Sequence, residues 1–91
     1  MTPGEISVER RKEGRQPASG WVEFLIDEPA PSLAMGELFE RSAHGFRATH
    51  DSNRLVPGAE VAFRCESRVG RARVMWTQIH GARRVSGFLV L

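Results

Sequence analysis

The chain has 91 residues, 41% of them hydrophobic and 26% charged, with a formal net charge of +2 and one cysteine. That length admits a single domain with a modest core, so a large ligand has to sit on the surface or in a shallow groove. No apolar run nears the ~20 residues of a membrane-spanning helix, the segment "MTPGEISVERR" lacks the apolar centre of a secretory signal, and Cys65 has no internal disulfide partner, so a cytoplasmic protein without membrane insertion is expected.

The charge is unevenly spread, at +1 over residues 1–20, −4 over 21–60 and +5 over 61–91. Twelve of the thirteen cations are arginine, the side chain whose planar fork pairs with phosphates and purine edges. Arginine serves equally well as an ordinary surface cation, and composition does not separate the two uses.

In chain order, residues 1–19 hold Pro3, Gly4, Gly14 and Pro17 among few apolar residues and are expected to form a flexible basic arm, with residues 20–91 as the folded domain. "WVEFLID" (21–27) is rich in aromatic and branched residues and ends at "EPAPS", as a strand entering a turn does. Two short strands are predicted at "GELFE" (36–40) and "GFRAT" (45–49). A helix over "PSLAMGELFERSA" is the weaker reading, because Gly36 interrupts it. After the Pro57–Gly58 turn, Val61, Phe63 and Cys65 alternate with Ala62, Arg64 and Glu66. "GRARVMWTQI" (70–79) alternates as well, with Ala72, Val74 and Trp76 opposite Arg71, Arg73, Met75 and Thr77, and "VSGFLVL" closes the chain as a last strand. Short strands and turns with hardly a helical period predict an all-β fold, a small antiparallel barrel or sandwich.

Little points to an enzyme. His50, Asp51 and Ser52 supply the residue types of a catalytic triad, but triad members meet from separate elements, and a polar turn explains the run. His44, His50, His80 and Cys65 lack metal-ligand spacing, and neither Glu37 nor Glu40 is marked as a perturbed acid. No catalytic or metal site is therefore expected. The cluster RRxxxR, formed by Arg10, Arg11 and Arg15, suits either a solvated tail or phosphate binding. The interleaved Glu9 and Glu13 count against generic nucleic-acid binding. "ERSAHG" (40–45) spaces an acid, a serine and a glycine between two strands. Its carboxylate can accept the paired donors of a guanine Watson–Crick edge, Ser42 can donate and accept, and Gly45 permits a turn or a close approach. An ordinary turn capped by Ser42 has the same pattern.

RRxxxR in an N-terminal arm, followed about thirty residues on by acid-x-Ser-x-x-Gly between strands, resembles the PilZ domain, a bacterial family that binds the second messenger cyclic di-GMP. The likeness extends through "LFERSAHGFRA", "LVPGAEVAFRC" and "RARVMWTQIHGARRVSGFLVL", with Gly87 at the family's late glycine. It implies a six-stranded antiparallel β-barrel; members often add a C-terminal helix, which is expected to be absent or very short here because the chain stops at Leu91. It also implies a ligand site made by Arg10, Arg11 and Arg15 of the arm with Glu40, Ser42 and Gly45 of the turn. Trp76 resembles a position beside the ligand in some members and reads equally as a core residue. Glu40 departs from the family's Asp or Asn by one methylene. The expectation is a cyclic di-GMP receptor whose arm closes over the ligand and alters a surface offered to a downstream protein partner. The alternative is a degenerate PilZ domain that acts through protein contacts with weak or no nucleotide binding. With two Trp, no Tyr and no regular aromatic platform, DNA or RNA is not an expected partner.

Overall fold

The computed structural model describes residues 15–27, 29–66 and 68–91. Its strands are β1 (Gln16–Pro17), β2 (Trp21–Ile26), β3 (Ser32–Arg41), β4 (Gly45–His50), β5 (Glu60–Cys65), β6 (Arg68–His80) and β7 (Arg83–Val90). Every pairing is antiparallel. The sheet runs β3-β2-β5-β6-β7-β4, and β4 returns to β3, which closes a six-stranded barrel. The two residues of β1 lie outside the closed ring, paired with Arg41 and Glu40 of β3. The all-β barrel expected from the sequence is the fold observed, and the described residues contain no helix.

Alternation along each strand decides what lies inside. Val22, Phe24 and Ile26 of β2, Phe46 and Ala48 of β4, Val61 and Phe63 of β5, Ala72 and Val74 of β6 and Phe88 of β7 are buried in one core. At its centre Phe88 stacks on Phe24 and on Phe46, each at 4.8 Å between ring centroids, and Phe63 meets Phe46 at 5.1 Å. Offset aromatic contacts at this spacing add to the area they bury.

Toward the other end the interior turns polar. His50 and Ser86 are fully buried, and His50 Nε2 lies 2.8 Å from Ser86 Oγ. The backbone N–H of Ser52 donates to His50 Nδ1, so the neutral ring keeps its proton on Nε2 and donates it to Ser86. Ser86 then donates to Thr77 Oγ1 at 2.7 Å, and Thr77 to the carbonyl of Leu55 at 3.2 Å. Burial holds the His50 pKa below the usual histidine value, Arg84 and Arg83 push it the same way, and Asp51 opposes them. The His50–Asp51–Ser52 run therefore serves a closed interior chain, in which the histidine's hydroxyl partner is Ser86.

Two β-bulges break the regular register, one between Leu38 and Glu40 in β3 and one between Val74 and Trp76 in β6. Each places an extra residue, Phe39 or Met75, and exchanges the inward and outward positions beyond it. Both sit beside the candidate site.

Candidate functional site

Across the outer wall of the barrel runs a single row of cross-strand neighbours. Glu40 of β3 pairs with Arg47 of β4, Arg47 with Gly87 of β7, and Gly87 with Trp76 of β6. The two bulges set both ends of this row. Without the extra residue Met75, Trp76 would share the inner face of Ala72 and Val74, as strict alternation predicts. With it, Trp76 turns outward and Thr77 takes the inward position, where it bonds Ser86. The sequence grouping of Trp76 with Ala72 and Val74 is thus corrected, and so is its reading as a core residue.

Gly87 is what lets the row close up. A Cβ there would overlap Nε1, Cε2 and Cζ2 of the Trp76 indole, so the ring lies against bare backbone. The indole then reaches across β7 toward β4, and the Arg47 guanidinium sits over it at 5.3 Å from the ring centroid, within cation–π range. On its other side Arg47 Nε lies 3.0 Å from Glu40 Oε1, both side chains being roughly three-quarters shielded from solvent. The two are close enough to attract as charges, yet the N–H is not aligned on the oxygen. Oε1, buried, has no hydrogen-bond donor among the described residues.

The turn Ser42–His44 between β3 and β4 forms the next part. Ser42 Oγ accepts from the backbone N–H of His44 and of Gly45, and Ser42 N–H donates to the carbonyl of Gly45. The hydroxyl therefore caps the turn and keeps its own proton for another acceptor. Gly45 is required by a close approach, because a Cβ would land on the backbone carbonyl of Phe88 in the neighbouring strand.

Together these residues line a shallow pocket of about 180 Å³. Arg15, Glu40, Ser42, Gly45 and Trp76, all singled out from the sequence, lie on its wall. Arg15 reaches the rim because the next two residues, Gln16 and Pro17, pair with Arg41 and Glu40. Arg10 and Arg11 lie outside the described residues. The pocket also holds Arg41, His44, Arg47 and Met75, which sequence reasoning left out. Arg47 had a usable signal: it lies two residues beyond Gly45 and between inward-facing Phe46 and Ala48, which places it outward, next to the turn. Three arginines against one glutamate make the pocket cationic, and a planar aromatic floor adjoins it. Such a surface suits an anion that carries a flat ring.

Elsewhere among the described residues, no three His, Cys, Asp or Glu side chains converge as a metal site, and no helix is long and apolar enough to cross a membrane. No family model and no curated protein matches the chain.

Proposed function

We propose that this protein is a cyclic di-GMP receptor of the PilZ type, a cytoplasmic binding module without catalysis. The observation that carries the reading is the meeting of Arg15 with Glu40, Ser42 and Gly45 on one cationic pocket, although about 25 residues separate the arginine from the turn. Glu40 Oε2, the carboxylate oxygen not turned to Arg47, offers an acceptor for a guanine N–H, and the Ser42 proton is free to meet a phosphate or carbonyl oxygen. Arg15 and Arg41 supply charge-assisted bonds to phosphates. In the proposed mechanism the segment carrying Arg10, Arg11 and Arg15 closes over the seated ligand. The closure changes the surface offered to a partner protein, so ligand and partner are coupled through one equilibrium.

A second reading, a protein-interaction module with weak or no nucleotide binding, draws on the Glu40–Arg47 contact, which already occupies the carboxylate that the ligand would use. One calorimetric titration with cyclic di-GMP separates the two. The receptor reading expects heat with the wild type and at least a tenfold weaker affinity for Arg15→Ala. No heat with the wild type, or equal affinity in both, overturns it. A large gain with Glu40→Asp identifies an impaired native site and favours the second reading.

A further inference from the structure

Trp76 looks like a stacking surface for a base, but the Arg47 guanidinium already lies over its ring. Arg47 is also held from the side. Its Nε is drawn to Glu40 at 3.0 Å, and the backbone of Gly87 supports the indole from below. No other contact among the described residues engages the two Nη groups of Arg47. The guanidinium is planar, permanently charged and weakly hydrated, and it stacks on flat rings as readily as an aromatic side chain does.

We infer that Arg47, backed by Trp76 and steadied by Glu40, is the surface on which the ligand's purine lies, and so is the residue that determines specificity for a purine ligand. The inference rests on the nucleotide-receptor reading above and assigns the base contact within that pocket. A base entering the site meets the guanidinium plane first. To stack on the indole face that Arg47 covers, it would have to displace Arg47 from both Trp76 and Glu40. Stacked on Arg47 instead, the base leaves both contacts in place, and a nearby phosphate can accept from the Nη groups. The larger and more polarisable π-system of a purine is attracted to the cation more strongly than that of a pyrimidine, which is the source of the discrimination.

The test compares wild type, Arg47→Lys and Arg47→Ala in calorimetric titrations with cyclic di-GMP and with its pyrimidine analogue cyclic di-UMP. Arg47 lies on the outer wall, so circular dichroism should show both variants folded, with Arg47→Ala melting lower than the wild type because Glu40 loses its charge partner. Lysine keeps the charge and removes the plane. The inference expects both variants to lose at least tenfold in affinity for cyclic di-GMP, with the preference over cyclic di-UMP shrinking in each. Wild-type affinity in Arg47→Lys with loss only in Arg47→Ala would show that charge alone matters and would overturn the stacking role. Unchanged or tighter binding in Arg47→Ala would mean that the bared indole is the platform, and would overturn it too. If the wild type binds cyclic di-GMP and only these comparisons fail, the receptor reading survives. If the wild type binds neither nucleotide, the reading and this inference fall together.

Discussion

Phe46 and Arg47 are consecutive in sequence and lie on opposite walls of the barrel, and the two walls are specified by different physics. The inner wall of β4, β6 and β7 is filled by Phe46, Ala48, Val74 and Phe88 in contact with one another. Its positions follow from alternation, and its stability comes from area removed from water. The outer wall of the same strands carries Glu40, Arg47, Gly87 and Trp76 in one row. That row depends on two bulges and on a missing side chain at Gly87, and its members pack on one another rather than in the core. Core packing thus fixes where the strands lie, and local irregularity determines what they present. Damage inside should appear as lost stability, and damage outside as lost recognition in a barrel that still folds.

The sharpest way to break this contrast is Phe88→Ala. The ring is almost fully buried and stacks on two others. Truncation of such a phenylalanine removes transfer energy and leaves a cavity, at a cost of about 3–5 kcal/mol. For a small domain of ordinary stability, about 5–15 kcal/mol, that is a large share. Urea denaturation should show the midpoint falling steeply with an unchanged slope. A loss below ~1 kcal/mol would mean that the aromatic stack does not hold the barrel together.

The same contrast explains what the sequence could reveal. β5 was legible because Val61 and Phe63 alternate with Ala62 and Arg64, whereas β2 and β7 were legible as apolar, branched or aromatic runs next to turns, although Trp21 and Leu25 face outward in β2. β3 was read only as residues 36–40, because Leu33 and Met35 face outward while Gly36 and Leu38 face inward, so apolar residues fall on both faces and the period of two is lost. β1 was invisible, since Gln16 and Pro17 pair through backbone alone and bury nothing. In the candidate site, the spacing of Glu40, Ser42 and Gly45 was legible because it lies within a single turn. The wall on which Trp76 stands was not, because one extra residue reverses the parity and no residue type marks a bulge in advance. Arg47 was passed over because its partners, Glu40 and Trp76, lie on other strands.

A smaller effect should come from the polar end of the interior. His50 is neutral in the folded barrel with its pKa lowered, chiefly by burial. The unfolded chain takes up a proton near the ordinary histidine value of 6.5, and the folded barrel does not. Stability should therefore be level in this respect above about pH 7.5 and decline as the pH falls through 6.5, by at most about 1.4 kcal/mol per pH unit for one proton. Denaturant midpoints from pH 8 to pH 5 should show this decline in the wild type and lose it in His50→Gln, whatever that variant's absolute stability. An identical slope in the variant would mean that another group is responsible.

The smallest change in stability, with the most informative site effect, is expected from Gly87→Ala. A methyl group there collides with the indole rather than with backbone, and the ring stands on the outer wall where it can swing away. Alanine also recovers roughly 0.5–1 kcal/mol that glycine costs within a strand. The two effects oppose each other, so the melting temperature should move by only a few degrees. Recognition should not be so forgiving. With Trp76 displaced, Arg47 loses the ring beneath it and keeps only Glu40, so on the proposed receptor reading affinity for cyclic di-GMP should drop at least tenfold while the barrel remains intact. Trp76 emission, read in a Trp21→Phe background, should shift with the ring's new exposure. If Gly87→Ala instead unfolds the barrel, the outer row is part of what holds the strands together, and the division between the two walls does not stand.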